Sequence, residues 1–397
     1  NLFTSVNIDR DLENPALKQF SVPSKAWGAN AVINLKKIKG HQLIYGVDAR
    51  KVKGQTNERF FFTDTFFNRE RNAGGEQTLI GFFLEDTWEV TPELNLIFGG
   101  RSDYWSINNG SRKQTNLISK EILRDDKFLD RDEWVGNFRF GVNYILNDQL
   151  RARGAFYTGF RAPTLNELYR PFRVRVDITE ANPQLKRERL YGGEAGLNFR
   201  PNKNLDFRLT YFLNFLDEPI ANVTLGLGPG PVKPCGFVPA GGTCRQRQNL
   251  GLVSVGGLEL DVSWNLNEQW LFSTSYLYSD SEITKSPVQL DLENNRLAQS
   301  PKHMLSFLMI WNPTTKWTNS LQLRYTSSQY ENDLNTLELQ DYTVVDLMIA
   351  YKFNGKIEGF VSIENILNTK FETGKASNGL ISIGNPILAT IGFRWHL

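Results

Sequence analysis

Hydrophobic and polar residues alternate with a period of two along most of the chain. Within Leu205–Phe215, leucine, phenylalanine and tyrosine side chains fall on one face, while Asp206 and Arg208 fall on the other. The segments Leu94–Tyr104, Leu258–Asn265 and Val345–Phe353 alternate in the same way. Such alternation indicates β-strands with one apolar face, and about ten residues is the length that a tilted strand needs to cross a bilayer.

This pattern predicts about 15 strands between Trp27 and Trp395, with one more possible in Leu2–Ile8. Helical periodicity is almost absent, and a turn near Leu165–Tyr169 is the one helical candidate. The apolar face of these strands is either a lipid contact or the core of a soluble sandwich. The strand pattern alone therefore leaves two architectures open.

Two kinds of connection alternate between the predicted strands. Short turns rich in Gly, Pro, Asn and Asp, which suit turn geometry, occur at Ile38–Gly40, Thr91–Glu93, Asn147–Gln149, Pro201–Asn204, Asn265–Gln269, Asn312–Lys316 and Asn354–Gly355. Long polar loops lie between them, at Lys53–Glu76, Asn108–Arg131, Gly159–Arg187, Ala221–Gln248, Ser279–Pro301, Ser328–Glu338 and Thr369–Ser382. A soluble sandwich has no reason to collect its long loops at one end, whereas an outer-membrane barrel has short periplasmic turns and long extracellular loops.

The predicted fold class is therefore all-β, a transmembrane antiparallel barrel with about 15–16 strands in this chain. Closure of the barrel is expected because unpaired strand edges cannot lie in lipid. The mean hydropathy of -0.38 is that of a soluble protein, but only alternate residues of a membrane strand face lipid. The 9 Trp and 27 Phe residues suit a lipid-facing surface with aromatic girdles.

Charge and the chain ends add further expectations. A net charge of +2 excludes a strong polyanion-binding footprint, so no nucleic-acid partner is expected. No run of about 18 apolar residues is present, so no membrane-spanning helix is expected. The chain starts at Asn1 without a signal peptide, which suggests a mature, trimmed or partial chain.

The two cysteines, Cys235 and Cys244, lie in a Gly- and Pro-rich segment between two strand patterns. A metal site would need more ligands nearby, and the segment has no His neighbours. A loop disulfide formed in an oxidising compartment is favoured over two free thiols.

The segment after the strand that ends near Tyr157 carries the most specific motif. It contains Gly159, Phe160, Arg161, Ala162 and Pro163, followed by Glu167, Leu168 and Tyr169, and then by Asn182, Pro183, Leu185 and Glu188. These two segments resemble the mid-barrel signature of TonB-dependent receptors, in which G-F-R-A-P-x-x-x-E-L-Y precedes N-P-x-L-x-x-E. Further stretches resemble strands of the same family, so that the resemblance covers nearly the whole chain from Trp27: Gly81–Trp88, Leu94–Tyr104, Gly256–Leu260 and Glu364–Asn368.

The last residues are similar to the C-terminal strand that the barrel-assembly machinery of the outer membrane reads. Thr390, Gly392, Phe393, Trp395 and Leu397 carry this similarity. A terminal Phe is usual in such strands; here the chain ends in Leu397, and Trp395 supplies the aromatic ring. An ordinary amphipathic edge strand is the alternative interpretation.

The resemblance implies an outer-membrane protein of a Gram-negative bacterium. Members of the family have an N-terminal plug, a segment that contacts TonB and 22 strands. Residues 1–397 are therefore expected to be a single barrel domain that is incomplete at its N-terminal end and lacks the plug. Lipid, the assembly machinery and, through the missing region, the TonB complex are the expected partners.

The function implied by the resemblance is active uptake of a scarce small molecule, such as an iron–siderophore complex or cobalamin. A passive diffusion porin is the alternative, because a barrel of about this many strands could form one. The residues that would bind the ligand cannot be identified from sequence, and no cofactor is implied.

No enzyme is expected. Arg161, Glu167 and Tyr169 resemble a catalytic group, but charged and aromatic side chains that tie a long loop to the barrel wall explain them better. His41, His303 and His396 lie on different predicted strands and indicate no metal site.

Overall fold

A computed structural model of the chain describes residues 3–9, 12–63, 66–174 and 176–395. His396 and Leu397, the last residue of the expected assembly signal, lie outside the described residues, as does Leu2. In chain order the strands are β1 Phe3–Asp9, β2 Leu12–Ser21, β3 Ser24–Asn34, β4 His41–Thr63, β5 Phe66–Glu89, β6 Leu94–Asn116, β7 Ile122–Lys127, β8 Arg131–Ile145, β9 Leu150–Arg161, β10 Phe172–Val174, β11 Asp177–Glu180, β12 Glu188–Asn202, β13 Leu205–Asp217, β14 Ile220–Leu227, β15 Gly230–Val232, β16 Gly236–Val238, β17 Thr243–Asn249, β18 Leu252–Asn265, β19 Trp270–Lys285, β20 His303–Trp311, β21 Trp317–Thr326, β22 Gln329–Tyr330, β23 Glu338–Leu339, β24 Tyr342–Lys352, β25 Ile357–Glu364, β26 Glu372–Lys375, β27 Ile381–Ile383 and β28 Leu388–Trp395. A helical turn, α1, spans Leu165–Tyr169, where the sequence predicted one, and a 3-10 turn spans Leu290–Leu292.

One 18-stranded sheet dominates the structure. Strands β1, β2 and β7 extend its outer part, and the other fifteen follow one another from β3 to β28, each antiparallel to the next. The prediction of about 15 antiparallel strands is confirmed. Among the described residues, β3 pairs with β4 and β28 pairs with β25, but β3 and β28 do not pair with each other. The sheet therefore has two edges.

Three strands are much longer than a bilayer requires. Strands β4, β5 and β6 contain 23, 24 and 23 residues. The prediction that Lys53–Glu76 forms a loop is therefore wrong, because β4 continues to Thr63 and β5 begins at Phe66. Beyond the membrane both faces of a hairpin meet water, so the residues become polar on both sides and the strand signal in the sequence fades.

The two faces of the sheet differ in chemistry. On one face, Phe82 and Leu84 are 52% and 55% exposed. On the other face, Arg101 forms ion pairs of 2.6 Å with both Asp48 and Asp103. A side chain in place of Gly81 would collide with the Arg101 guanidinium. A continuous exposed apolar face needs a nonpolar surrounding. On the opposite face, acidic and basic side chains form ion pairs with one another.

Aromatic side chains mark the borders of the apolar face. At the end with the short turns, the Trp270 and Trp311 rings stack at 5.3 Å, and Trp317 lies 4.6 Å from Tyr351. At the end with the long loops, Tyr104 packs against Trp134 at 5.4 Å and faces outward. Two such girdles are typical of membrane barrels. No helix in the described ranges has the length and apolarity to cross a membrane.

The last strand has the expected amphipathic pattern. Ile391, Phe393 and Trp395 are 75%, 74% and 67% exposed on the apolar face. Arg394 lies on the opposite face, where its guanidinium bonds to the Glu358 carboxylate at 2.7 Å. Thr390 and Gly392 share the face of Arg394, because neighbours two apart along a strand point the same way.

We predict that Trp395→Lys sharply reduces insertion into the outer membrane in cells. Trp395 pairs with Ile357 beside a short turn, near the membrane border, where a charge costs only about 0–1 kcal/mol. Refolding into lipid in vitro should therefore be almost unchanged, and a loss seen only in cells reports recognition by the assembly machinery. The measurement is outer-membrane yield beside refolding yield.

Arg394→Gln is the matched control for this prediction. It removes a half-exposed ion pair, worth less than about 1 kcal/mol, from the neighbouring position. Equal yields of the two variants in cells would leave β28 as an ordinary amphipathic strand.

Candidate ligand-binding site in the loop cap

The mid-barrel motif begins where β9 ends. Thr164 caps α1: its hydroxyl accepts from the Glu167 backbone N–H at 3.2 Å, and the Glu167 carboxylate accepts from the Thr164 backbone N–H at 2.7 Å. This reciprocal pair is a capping box, and Thr three residues before Glu is its sequence signature. The local sequence thus explains why the chain turns helical after Pro163.

Arg161 holds the two halves of the motif together. Its guanidinium bonds to the Glu167 carboxylate at 2.9 Å and 3.1 Å and to the Glu188 carboxylate at 2.8 Å. Glu188 also accepts from the backbone N–H of Ile220 at 2.6 Å. Although burial raises the pKa of Glu167, bonds from Arg161 and Thr164 outweigh it, so this pKa lies below its ordinary value. The acid is ionised and already paired, which suits a structural tie.

The second half of the motif packs under the helix. The Asn182 backbone N–H donates to the Glu167 carbonyl at 3.1 Å, and Pro183 follows in the same turn. Leu168 and Leu185 are fully buried, and Tyr169 stacks on Phe128 at 5.0 Å. These residues form one apolar cluster with Trp105 and Ile107 of β6. A side chain at Gly110 would overlap the Tyr169 ring.

The structure therefore brings Arg161, Glu167 and Tyr169 together as a loop anchor. The remaining motif residues support it: Gly159 and Phe160 complete β9, and Ala162 packs against the apolar cluster. Arg131 secures the second segment from β8, with its guanidinium donating to the Leu185 carbonyl at 3.0 Å.

A second charged cluster was not predicted from the sequence. The Glu58 carboxylate, 1% exposed, accepts from Arg71 at 2.7 Å and from Arg170 Nε at 2.7 Å. Arg71 also donates to the Pro171 carbonyl at 2.8 Å. Burial raises the pKa of Glu58, but the charges of Arg71 and Arg170 outweigh burial and hold the pKa below its ordinary value. This cluster fastens the end of the motif to the β4–β5 hairpin.

A cavity of about 550 Å³ opens beside this cluster. We call it the arginine pocket. It lies between the β4–β5 tip, the β6–β7 hairpin, the β10–β11 hairpin and the disulfide loop. Its charged lining consists of four arginines and one glutamate: Arg69, Arg71, Arg124, Arg173 and Glu180. Five phenylalanines complete the wall: Phe60, Phe61, Phe62, Phe172 and Phe237. A cavity of this size accommodates a small molecule.

Several buried cations surround the arginine pocket, and Asp126 is an ion-pair partner of Arg124 and Arg112 there. Burial, and then the charge of Arg124, lower the pKa of Arg112, although Arg112 contacts Glu180 at 3.2 Å. Burial also lowers the pKa values of Arg173 and Arg247. A lowered pKa of a buried cation means that its charged form is destabilised. A bound anion would relieve that cost.

Aromatic rings position two of these cations. The Arg69 guanidinium lies 5.4 Å from the centre of the Phe61 ring, and Arg247 lies 5.0 Å from Phe172. Arg247 also donates to the carbonyl oxygens of Asn166 and Arg170 at 2.8 Å and 3.1 Å. The pocket is thus connected to the motif through a main-chain contact.

The disulfide loop forms another wall of the arginine pocket. Cys235 and Cys244 are joined by a disulfide, with Cα atoms 5.9 Å apart. Cys244 is fully buried beside Ile178 and Val238. The same loop is bonded to the connection between β26 and β27, where the Ser377 hydroxyl donates to the Gly241 carbonyl at 2.8 Å. Loops that are distant in sequence therefore form one folded cap.

The histidines that the structure describes have local partners. His41 Nδ1 lies 2.7 Å from the Asp86 carboxylate, and His303 Nδ1 lies 2.8 Å from the Tyr276 hydroxyl. Within the described ranges, no three His, Cys, Asp or Glu side chains are grouped as metal ligands.

We predict that Glu58→Gln loosens the cap. Removing one partner of a buried ion cluster costs about 3–5 kcal/mol, so amide hydrogen exchange in α1 and at the β4–β5 tip should accelerate by at least a hundredfold at pH 7. Because the pKa of Glu58 is lowered on folding, its stabilisation is present above the ordinary carboxyl pKa. It is lost progressively as the pH falls from the ordinary carboxyl pKa through the lower folded value, so the two proteins should converge only below the folded pKa of Glu58.

Glu70→Gln serves as the matched control on the same hairpin. The Glu70 carboxylate lies 3.0 Å from Arg59 Nε, and the Arg59 side chain is 45% exposed. Such an exposed ion pair contributes less than about 1 kcal/mol. Similar exchange rates in both variants at pH 7 would show that the Glu58 cluster does not anchor the cap.

We predict that Cys235→Ser with Cys244→Ser destabilises the disulfide loop and spares the sheet. Closing a short loop contributes about 2–3 kcal/mol in the chain-entropy model. Limited proteolysis should cut this loop selectively in the double variant. Mass spectrometry of unreduced peptides tests the pairing itself, and two free thiols in protein from the outer membrane would contradict it.

Comparison with known proteins places these features in a family. Residues 4–366 match the family model described as TonB dependent receptor-like, beta-barrel. The iron-regulated outer membrane virulence protein of Vibrio cholerae is 24% identical over 353 residues, covering 87% of this chain and 48% of that protein. The ferrichrome outer membrane transporter/phage receptor of Escherichia coli is 24% identical, covering 86% of this chain and 43% of that protein. The chain spans about half the length of these curated relatives.

Solved structures show the same fold. The ferric yersiniabactin uptake receptor FyuA from Yersinia pestis covers the whole chain with a TM-score of 0.69 at 12% identity, and the chain covers 57% of that structure. The Escherichia coli ferric-catecholate import receptor Fiu gives a TM-score of 0.71 at 13% identity, over 100% of this chain and 60% of that structure. With the family model matched over nearly its whole length, this outer-membrane β-barrel chain of a Gram-negative bacterium belongs to the TonB-dependent receptor family.

Proposed function

We propose that the chain is the loop-bearing part of a transporter that takes up an anionic ferric chelate with energy supplied through TonB. The observation that supports this most directly is the arginine pocket, a cavity between four hairpins and loops of the cap that is lined by four arginines and five phenylalanines. Family membership supports active transport, and the arginines of the pocket support a ligand with negative charge.

The two sheet edges support a larger barrel. Peptide groups along β3 and β28 would be unsatisfied in lipid unless another strand pairs with them. We propose that these fifteen strands belong to a barrel of 22, the size of plugged outer-membrane transporters, and that the plug and TonB contact lie outside residues 1–397. The half-length coverage of the relatives agrees with this proposal.

The pocket favours an iron chelate over cobalamin. Relatives include both a ferrichrome transporter and the vitamin B12 transporter BtuB of Photobacterium profundum, which is 24% identical over 63% of this chain and 37% of that protein. Carboxylate and catecholate chelates of iron are anionic, and arginine binds such oxygens with charge-assisted bonds while stacking on flat rings. Arg71 and Arg124 are already paired with Glu58 and Asp126, and an anion would add to this compensation, whereas an uncharged ligand would not.

A passive diffusion porin is not favoured. The named relatives are transporters and receptors. The cap also joins loops across the end of the sheet, for example through Ser377 and Gly241, instead of leaving a wide opening.

We predict that Arg69→Gln weakens binding of an anionic ferric chelate about tenfold or more, the range for one bond to a charged group. Arg69 is suitable because its guanidinium lies over the Phe61 ring and outside the Glu58 cluster, so the cap should stay folded. Fluorescence quenching of the purified protein by ferric citrate, a ferric catecholate and cyanocobalamin gives the affinities.

Arg59→Gln, on the outward face of the same hairpin, is the control and should bind like the wild type. Cells that carry the complete transporter should grow on the bound chelate as sole iron source only when TonB is present. Tighter binding of cyanocobalamin than of both ferric chelates would contradict the proposed ligand class, and TonB-independent uptake would contradict the proposed mechanism.

A further inference from the structure

Three consecutive phenylalanines at the β4–β5 tip depart from the alternation of a strand. Phe60, Phe61 and Phe62 all line the arginine pocket. In a regular strand, successive side chains point to opposite faces, so Phe61 would point away from a cavity that both of its neighbours face. Across the hairpin, Phe60 pairs with Arg69 and Phe62 pairs with Phe67, and the pairing skips Phe61.

The backbone of Phe61 accounts for this departure. Its φ is +62°, in the left-handed region, where the Cβ atom of any residue except glycine is crowded against the backbone. Ten non-glycine residues in the described ranges have a positive φ, and the other nine are Asn, Lys, Glu or Gln. Phe61 is the apolar residue among them. The left-handed conformation turns its ring to the side on which the arginine pocket lies.

The fold gains little from this strained ring. Phe61 is 53% exposed, and its contact is with the Arg69 guanidinium, 5.4 Å from the ring centre. Full burial of a phenyl ring would offset the strain by removing apolar surface from water, but a ring that stays half-exposed gains only part of this free energy. Backbone strain of this kind occurs mainly at binding and catalytic sites. A ligand that covered the ring would supply the missing gain.

Other rings face the same cavity. Phe237 lines it from the disulfide loop and is 68% exposed. Phe60 lines it as well, with the Arg71 guanidinium 4.8 Å from its ring centre. Aromatic rings attract one another when their centres lie about 4.5–7 Å apart. A flat ring in the cavity can therefore stack on exposed phenyl groups while oxygen atoms on its edge approach a guanidinium.

We propose that Phe61 determines the specificity of the arginine pocket, by selecting ferric chelates whose iron-binding oxygens are carried on an aromatic ring. This inference rests on the proposed uptake of an anionic ferric chelate. The ring of such a chelate stacks on Phe61, and its phenolate oxygens accept charge-assisted bonds from Arg69. A carboxylate chelate without a ring, such as ferric citrate, gains only the charge contact and binds more weakly.

The test measures binding to the complete transporter purified from outer membranes, by isothermal titration calorimetry. The probes are ferric citrate and the ferric complex of 2,3-dihydroxybenzoate. We expect the wild type to bind the dihydroxybenzoate complex about tenfold more tightly than ferric citrate. Phe61→Asn should remove about this factor for the dihydroxybenzoate complex, which is the range for one stacked aromatic pair. Its affinity for ferric citrate should stay within about twofold of the wild type, because no ring contact is lost.

Three measurements separate the ring from the fold. Asparagine adopts the left-handed conformation more readily than phenylalanine, so the melting temperature of Phe61→Asn should not fall. Phe61→Tyr keeps a ring and should bind both chelates like the wild type. Phe66→Asn is the matched control, because Phe66 is 47% exposed on the same hairpin and is not among the described residues that line the pocket. It should also bind like the wild type.

Equal affinity of the wild type for the two chelates would overturn the proposed role of Phe61 and leave the uptake of an anionic chelate standing. Unchanged binding of the dihydroxybenzoate complex by Phe61→Asn would do the same. A lower melting temperature of this variant, with equal losses for both chelates, would show that the ring supports the fold and does not select the ligand. If neither chelate bound to the wild type, the proposed function itself would be contradicted, and the selection with it.

Discussion

A peptide group in the lipid interior has no water with which to bond, and this constraint governs how the chain is built. Along the fifteen strands from β3 to β28, every strand except the last pairs its backbone with the next one. Because pairing fixes which residues share a face, the sequence must alternate in chemistry at every step. Phe82 and Arg101 illustrate the result: they lie on neighbouring strands, yet one faces lipid and the other an ion pair with Asp48.

This constraint ends at the membrane border, and beyond it both faces of a hairpin can carry charged side chains. Beyond the border, β4 and β5 continue as a hairpin with Lys51, Lys53 and Arg59 on its outward face and Arg69 and Arg71 on its inward face. Lys51 and Lys53 remain substantially exposed, whereas Arg71 is largely buried against Glu58. Guanidinium groups tolerate burial and form several directed bonds, while ammonium groups remain hydrated. The buried position beside Glu58 is therefore suited to arginine.

Much of this architecture can be predicted from the sequence because it depends on the spacing of residues that are close together in the chain. Period-two alternation predicts the strands, and Thr164 with Glu167 predicts the capped turn α1. The Glu58 cluster is different, since Arg170 lies 112 residues away in the chain and no local pattern links the two. The extension of β4 to Thr63 could not be predicted either, because hydrophobicity does not distinguish a strand from a loop where both faces are polar.

The anchors of the cap offset the free-energy cost of its buried arginines. Burial lowers the pKa values of Arg112, Arg173 and Arg247, so the cap must hold unfavourable charge in place before any ligand arrives. The Glu58 cluster and the apolar packing of Tyr169 supply that stability. A cap without such anchors could separate its arginines by opening, and the pocket would then have to be assembled during binding. Because the anchors keep the cations together, an anion that bound there would gain their attraction without the entropic cost of ordering the loops.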